Sequence, residues 1–304
     1  MSRASFLSRL LDKGLKLIRL PEVTDQKVFN KKLEESRKEY VLPPKVRDRY
    51  GFSEYGEYSD TFVYAPKDLE GKRTIFYVHG GAYWSNPLIL HYMFLKKIAE
   101  IFNARIVLPV YPKAPAHHAE EVHKMVMDRY MKLLLDVNDN PANIILMGES
   151  AGGGLALAML ERMKLEHIPM PLCAFLHSPW LDVSMTNPEM KQLEKNDPLL
   201  SIADLTIKGR EYAGKYDVKD WRVSPIYGDM KDLPPLYVDC GTHEIFMADV
   251  LKLKKMAETQ KLNMQFRIVE GQMHGFVGLP VPEARILLDL MVEDLRTVEN
   301  TCKR

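Results

Sequence analysis

Short runs of β-branched and aromatic residues alternate with longer segments of helical periodicity along most of this chain. Seven runs predict strands: "TFVYA" (61–65), "TIFYV" (74–78), "RIVLP" (105–109), "NIILM" (143–147), "CAFLH" (173–177), "LYVDC" (236–240) and "FRIVE" (266–270). The helical segments fall at 88–102, 119–135, 151–166, 247–260 and 283–298. Because strands that alternate with helices form crossover units, the pattern predicts an α/β fold whose mostly parallel sheet is covered by helices on both faces.

The alternation fails in two segments, 1–50 and 182–225, which have helical patterns without a strong strand. The chain has 304 residues, of which 46% are hydrophobic and 27% are charged, and this suffices for a large core. We expect a single domain over residues 1–304, with the two exceptional segments forming an extra layer above the sheet.

Bulk charge and cysteine content exclude several classes of protein. The 42 basic and 41 acidic side chains give a net charge of +1, so there is no electrostatic reason to expect a nucleic-acid partner. Three scattered cysteines, Cys173, Cys240 and Cys302, predict neither a disulfide framework nor a zinc site. No apolar run approaches the length of a transmembrane span. We therefore expect a cytoplasmic location.

The first twenty residues have an amphipathic pattern without the features of a secretory signal. Apolar and basic positions alternate there at near-helical spacing: Leu7, Leu10, Leu11, Leu15 and Ile18 are apolar, and Arg9, Lys13, Lys16 and Arg19 are basic. One interpretation is a basic helix on a membrane surface. The other, which we favour because Asp12 and Gly14 interrupt the pattern, is a helix packed on the protein itself.

The segment "IILMGESAGGG" (144–154) carries the clearest chemical signal. Gly148, Glu149, Ser150, Ala151 and Gly152 match Gly-x-Ser-x-Gly, after a predicted strand and before an Ala/Leu-rich helix. In that context the chain turns so sharply that only small neighbours avoid a clash, and the hydroxyl is exposed at the carboxyl end of the strand. A plain glycine-rich turn or a phosphate loop is the alternative, but no lysine follows in the Walker position.

A second glycine-rich loop precedes the serine strand in "FYVHGGAYW" (76–84). His79, Gly80, Gly81 and Ala82 supply backbone N–H groups with little side-chain cover, which can stabilise an oxyanion together with the N–H of Ala151. The alternative is a flexible turn. That reading does not explain why the loop lies upstream of the serine strand, where an oxyanion loop is expected.

A serine hydroxyl requires a base, and in this type of fold an acid and then a histidine follow the serine. Of the nine histidines, His274 lies just after the last predicted strand, in "VEGQMHGFVG" (269–278). Candidates for the acid are Asp239, Glu244 and Asp249. Glu244 is favoured because it follows the end of its strand by a short loop, whereas Asp239 lies within the strand and Asp249 would begin the next helix.

Several motifs together resemble the hormone-sensitive-lipase-like family of α/β-hydrolases, which includes bacterial esterases and arylacetamide deacetylases. They occur in the family's order over about 75–280: "HGGAYW", "GESAGGG", "SPWLD", "DPLL", "VSPIYGD", "LPPLYVDCGTHE" and "EGQMHGF". The resemblance implies an α/β-hydrolase fold with a helical cap formed by about 1–50 and 182–225. The chain departs from the family at Glu244 and Glu149, where most relatives carry Asp.

The resemblance also implies residue roles. Ser150 would be the nucleophile, His274 the base and Glu244 the orienting acid. The amides of Gly81, Ala82 and Ala151 would bind the oxyanion, with Gly80 shaping the loop. Three aromatic residues flank the oxyanion loop and the base, and we expect them to contact the substrate: Tyr83, Trp84 and Phe276.

These observations predict a serine carboxylesterase that hydrolyses short-chain acyl esters through an acyl-enzyme, without a metal or an organic cofactor. The expected partner is a small-molecule ester. The sequence is compatible with a homodimer. The many charges of the cap segments favour a substrate in solution over a lipid surface. Two alternatives remain: a formamidase or arylamide hydrolase with the same triad, and a non-catalytic receptor on the same fold, although such receptors have lost the histidine that is present here.

Overall fold

The computed structural model describes residues 4–17, 21–136 and 140–302. Its strands are β1 (Ser53–Tyr55), β2 (Tyr58–Tyr64), β3 (Thr74–Val78), β4 (Arg105–Pro109), β5 (Ile144–Glu149), β6 (Cys173–His177), β7 (Leu236–His243) and β8 (Met264–Met273). Its α-helices are α1 (Phe6–Lys16), α2 (Gln26–Ser36), α3 (Pro44–Tyr50), α4 (Ile89–Phe102), α5 (Ala119–Asp136), α6 (Ala151–Leu165), α7 (Met190–Leu193), α8 (Ile202–Ala213), α9 (Met247–Gln260) and α10 (Pro282–Cys302).

All eight strands form one sheet in the order β1-β2-β4-β3-β5-β6-β7-β8. From β4 to β8 every neighbouring pair is parallel, whereas β1 and β2 are antiparallel to each other and β2 is antiparallel to β4. The predicted mostly parallel α/β fold is confirmed. The parallel strands bring their carboxyl ends to one edge of the sheet, which is where an open α/β sheet binds its ligands.

Alternate side chains of each strand enter two separate cores on the two faces of the sheet. In β3, Ile75 and Tyr77 join one core and Phe76 and Val78 join the other, as the period of two requires. Helices α3, α4 and α10 cover the first face, and α5, α6 and α9 cover the second. Both cores contain side chains with no solvent exposure, so the sheet is buried on both faces.

The segment 1–50 contributes both to the body of the domain and to contacts with the segment 182–225. Val46 and Tyr50 of α3 are buried in the same core as α4, so the end of 1–50 belongs to the body of the domain. Phe29 of α2 instead packs edge-on against Trp84, and Trp84 donates a hydrogen bond to the carbonyl of Lys208 in α8. Helices α2 and α8 therefore meet above the loop that follows β3.

No helix in the described residues has the length and the hydropathy that crossing a membrane requires.

Candidate active site

Ser150 lies in the turn between β5 and α6 with φ 57° and ψ −125°. This left-handed backbone is strained for a residue with a side chain. The turn also requires glycines on either side. A Cβ at Gly148 would collide with the carbonyl of Gly152, and a Cβ at Gly152 would collide with the carbonyl of Val78. The sharp turn predicted from Gly-x-Ser-x-Gly is thus present, with its serine at the carboxyl end of the strand.

Three of the predicted residues meet at this turn. Oγ of Ser150 is 2.9 Å from Nε2 of His274, and Nδ1 of His274 is 2.7 Å from Oε2 of Glu244. His274 follows the last residue of β8, and Glu244 follows the last residue of β7. Glu244 has no solvent exposure and Ser150 is 6% exposed. The arrangement joins a hydroxyl, an imidazole and a carboxylate in one chain of hydrogen bonds.

The carboxylate of Glu244 is held by two further donors. Its Oε1 accepts hydrogen bonds from Oγ of Ser178, at 2.7 Å, and from the backbone N–H of Gly241, at 2.6 Å. Ser178 follows β6 and has a positive φ of 44°. The sequence alone indicated no site role for this serine, although it lies in the "SPWLD" motif.

The other two acid candidates do not reach His274. Asp239 is 2.6 Å from Nδ1 of His177, inside the sheet. Asp249 accepts a hydrogen bond from the side-chain amide of Asn187, at 2.8 Å. The geometry therefore favours Glu244 as the partner of the imidazole.

Negative charges around the imidazole favour its protonated form. Burial alone would lower the pKa of His274, but the hydrogen bond and charge of Glu244 outweigh burial, and Glu149 and Asp197 add to them. Together they raise the pKa of His274 to about 9. This environment stabilises an imidazolium, which is the charge that a general base acquires during the reaction.

Glu149 brings a second carboxylate to the site. Its Oε1 is 3.6 Å from Nε2 of His274, and its Oε2 is 3.5 Å from Nε2 of His91 in α4. Burial opposes its ionisation, but the two histidines hold the pKa of Glu149 below its usual value. The sequence motif contained Glu149, but nothing in the sequence indicated that His91 would lie beside it.

The loop after β3 has the features of an oxyanion-binding loop. Gly81 and Ala82 have positive φ angles of 110° and 54°, and the carbonyl of Gly81 accepts hydrogen bonds from Trp84 and Ser85 in a tight turn. Among the described residues, no acceptor takes the amide hydrogens of Gly81 and Ala82. Both residues line the same cavity as Ser150.

Two more predicted oxyanion residues lie next to this loop. Ala151 begins α6, and the first N–H groups of a helix have no acceptor within the helix. At Gly80 a Cβ would collide with the carboxylate of Glu149, so the loop can approach the serine turn only with glycine there. The predicted set of amides is therefore close to Ser150.

The cavity above Ser150, hereafter the basin, has a volume of about 700 Å³. Cap segments supply much of its wall: Lys16, Pro21, Glu22, Lys195, Asp197, Pro198, Leu199, Leu200, Ser201, Asp204, Leu205 and Lys208. A smaller cavity of about 200 Å³, the apolar compartment, shares Leu88, His91, Glu149, Leu199 and His274 with the basin. Its remaining wall is almost entirely apolar: Tyr77, Leu90, Phe94, Gly275, Val277, Gly278 and Leu279.

Tyr83, Trp84 and Phe276 are not in the walls of these cavities, which corrects the expectation that they contact substrate. Each is at most 2% exposed. The positive φ of Tyr83 turns its ring inward, where it stacks on Tyr212 with the ring centroids 3.5 Å apart. Phe276 is part of the core on the α4 and α10 face. These rings support the site from behind.

Among the described residues, no group of three or more His, Cys, Asp or Glu side chains is arranged to hold a metal ion.

Comparison with known proteins agrees with this fold. Residues 75–278 match the alpha/beta hydrolase fold family. An esterase of Acinetobacter venetianus is 33% identical over 204 residues, which is 66% of this chain and 67% of that protein. The crystal structure of EstE5, soaked by ethyl alcohol, superposes with a TM-score of 0.83 at 24% identity and covers 98% of this chain and 100% of EstE5.

A crystal structure of an esterase from the bacterial hormone-sensitive lipase family superposes with a TM-score of 0.79 at 21% identity. It covers 98% of this chain and 100% of that one. With the family match over more than half of the chain, and the hydroxyl, imidazole and carboxylate gathered at the serine turn, the protein belongs to the α/β-hydrolase family and is a carboxylic ester hydrolase.

Proposed function

We propose that this enzyme is a serine carboxylesterase that hydrolyses short-chain acyl esters through a Ser150–His274–Glu244 triad. The observation that carries the proposal is the continuous path from Oγ of Ser150 to Nε2 of His274, 2.9 Å, and from Nδ1 to the buried carboxylate of Glu244, 2.7 Å. A nucleophile, a base and an orienting acid in this geometry perform acyl transfer on several unrelated folds.

The reaction proceeds in two steps. His274 takes the proton of Ser150 as its Oγ attacks the ester carbonyl, and Glu244 stabilises the imidazolium that forms. The amides of Gly81, Ala82 and Ala151 bind the tetrahedral oxyanion, where losing one donor typically costs about 2.7–4 kcal/mol. His274 then gives the proton to the departing alcohol. Water, activated by the same imidazole, hydrolyses the acyl-enzyme and regenerates Ser150.

The two cavities beside Ser150 support the short-chain preference. The wall of the basin combines lysines, acids and hydroxyls with leucines and prolines, so the basin suits a group that has both polar and apolar parts. The apolar compartment begins at His274 and has only about 200 Å³, so it accepts a short acyl chain. Each methylene buried there gains about 0.8 kcal/mol, and this gain ends when the compartment is full. We assign the acyl chain to this compartment.

A series of p-nitrophenyl esters from acetate to palmitate tests the proposal with the purified protein. We expect kcat/KM to be highest for acyl chains of about two to six carbons, since the gain per methylene stops once the compartment is filled. A maximum at dodecanoate or longer would contradict the short-chain assignment. The same esters compared with the matching anilides distinguish an esterase from an amide hydrolase.

A further inference from the structure

Helix α1 packs on the protein through a mixed side, on which Leu11 contacts the core of the α4 and α10 face and the fully buried residues are polar. Ser8 and Asp12 are its buried residues, at 1% and 6% exposure. The hydroxyls of Ser5 and Ser8 donate to the carboxylate of Glu283 at the start of α10, at 3.1 and 2.8 Å. Asp12 lies 3.2 Å from Nδ1 of His243. These polar contacts fix which side of the helix faces the body.

The opposite side of α1 is apolar and lies in solvent. Phe6, Leu10 and Leu17 are 73%, 55% and 88% exposed, and Leu7 beside them is 39% exposed. At about 100° per residue, the spacings of four and seven positions place the first three on one narrow stripe. We call these four residues the α1 apolar face. A surface helix of a globular protein normally turns its apolar residues toward the core, whereas α1 leaves these four in solvent although Leu11 packs on the core.

A basic margin borders the α1 apolar face. Arg9, Lys13 and Lys16 are exposed. The helix has one acidic residue, Asp12, which faces inward and is paired with Lys16 at 2.9 Å and with His243. The outward surface of α1 therefore combines an apolar stripe with positive charge and carries no exposed carboxylate of its own.

This combination fits an anionic lipid surface better than a second copy of the chain. In a two-fold contact with the two α1 helices antiparallel, the basic margin of one copy would lie beside the same margin of the other, which repels. The headgroups of an anionic bilayer instead attract basic residues while the acyl boundary accepts the apolar ones, as for interfacial helices in general.

The position of α1 relates this surface to the active site. Lys16, at the end of α1, and Leu88, just before α4, both line the basin. Leu88, Leu90 and Met93 are 60%, 50% and 46% exposed, so a second apolar surface lies on the rim of the same cavity. A membrane that contacts α1 would thus lie near a helix that forms part of the wall of the basin.

We propose that α1 docks this esterase on anionic membrane surfaces through Phe6, Leu7, Leu10 and Leu17, with Arg9 and Lys13 contacting the lipid headgroups. The charged segment 182–225, which favoured a substrate in solution, does not cover this helix's outer side. Docking places the basin at the lipid surface, and hydrolysis of soluble short-chain esters does not depend on it.

Sedimentation of the full-length protein with vesicles tests the proposal. One set of vesicles contains phosphatidylcholine alone, and the other contains equal parts phosphatidylcholine and phosphatidylglycerol. We expect binding to the anionic vesicles and at least tenfold weaker binding to the neutral ones, since each basic side chain near the surface contributes about fivefold. Salt should weaken the binding.

Two variants and a matched control separate the contribution of the apolar residues to vesicle binding from that of the basic residues. The triple variant Phe6→Ser, Leu10→Ser, Leu17→Ser should bind anionic vesicles at least about tenfold less well, because it removes the inserted apolar surface. The double variant Arg9→Glu, Lys13→Glu should lose binding by a similar factor.

The control is the double variant Leu135→Ser, Leu165→Ser, whose leucines are 65% and 68% exposed at the far ends of α5 and α6. All should hydrolyse p-nitrophenyl acetate as the wild type does.

Three outcomes would overturn the proposal. The first is a wild-type protein that does not sediment with anionic vesicles. The second is equal binding by the triple variant and the control. The third is a concentration-dependent dimer, without vesicles, that the triple variant alone abolishes, since a second copy would then cover the α1 apolar face.

Discussion

Oε1 of Glu149 lies 3.6 Å from Nε2 of His274, the same nitrogen that lies 2.9 Å from Oγ of Ser150. The imidazole is thus in contact with a carboxylate on each side, Glu244 at Nδ1 and Glu149 near Nε2. Because both negative charges favour the imidazolium, His274 gives up its proton at a higher pH than an isolated histidine, whose pKa is about 6.5.

The base must be neutral to accept a proton, so kcat/KM should rise with pH as His274 loses its proton. The midpoint of this rise, the acid limb of the profile, should therefore lie well above pH 6.5 and toward 9, the approximate pKa of His274. Replacing Glu149 by Gln removes one negative charge, so the limb of kcat/KM should move to lower pH by about one unit. The measurement is kcat/KM from pH 5 to 10 for both proteins. Glu166→Gln, at the far end of α6, is the control and should leave the limb in place. An unchanged limb in Glu149→Gln would show that this carboxylate does not act on His274.

Replacing Glu244 by Gln should lower kcat by about 10³–10⁴-fold, because an amide cannot stabilise the imidazolium in the way that a carboxylate does. Asp249→Asn is the matched change at the other acid candidate. It should alter kcat by less than about threefold, since Asp249 pairs with Asn187 and not with His274. Comparable losses in the two variants, with folding verified by circular dichroism, would remove Glu244 from its assigned role.

The apolar compartment offers a direct test of the acyl-chain assignment at Gly278. A Cβ at this glycine meets no atom within 4 Å, and the residue lines the compartment, so Gly278→Val should narrow it without a clash. We expect kcat/KM for p-nitrophenyl hexanoate to fall about tenfold or more while that for acetate stays within about threefold. Leu279→Ala, which widens the same compartment, should shift the preference toward longer chains. An equal effect on acetate and hexanoate would place the acyl chain elsewhere.

Glu161 of α6 is a buried carboxyl group whose two oxygens both lack a hydrogen-bond partner among the described residues. Burial, with the nearby Asp229, raises the pKa of Glu161 to about 9, whereas the unfolded chain ionises near the ordinary value of about 4.5. Between these values the folded state binds the extra proton, so stability falls as the pH rises from about 4.5 to 9.

Glu161→Gln removes this titration and should raise the melting temperature relative to the wild type by roughly 2 °C or more at pH 8. The difference should shrink toward pH 5, because the carboxyl of the unfolded chain then approaches its own pKa of about 4.5 and the folded state binds little extra proton. Thermal unfolding followed at pH 5, 6.5 and 8 measures it. A difference that does not depend on pH would mean that Glu161 is not protonated in the folded protein.

Much of the fold could be predicted from the sequence because its strands are short apolar runs between turn residues. The bounds of β3, β4 and β6 agree with the predicted runs 74–78, 105–109 and 173–177, and α9 agrees with 247–260. The missed strand β1 has only three residues, "SEY", and its alignment depends on pairing with β2, so no local hydrophobic pattern indicates it.

The site was harder to predict than the fold, because the sequence does not show in which direction each side chain points. The order of the motifs along the chain predicted that Ser150, Glu244 and His274 act together, because the topology of the fold determines where their loops meet. The inward rotation of Tyr83 depends on positive φ angles at Ala82 and Tyr83, which a sequence without glycine at these two positions does not indicate. In the same way, the outward apolar face of α1 follows from contacts of Ser8 and Asp12 with distant residues.

The central claim is that Ser150 forms a covalent acyl-enzyme, and rapid acid quenching followed by peptide mass spectrometry tests it most directly. During turnover of p-nitrophenyl butyrate, the peptide that contains Ser150 should carry one butyryl group. Ser150→Ala should carry none and should lose at least about a thousandfold in kcat while keeping the wild-type melting temperature. A variant that still turns over the ester within a thousandfold of the wild type, or a butyryl group on another residue in the wild type, would contradict the account.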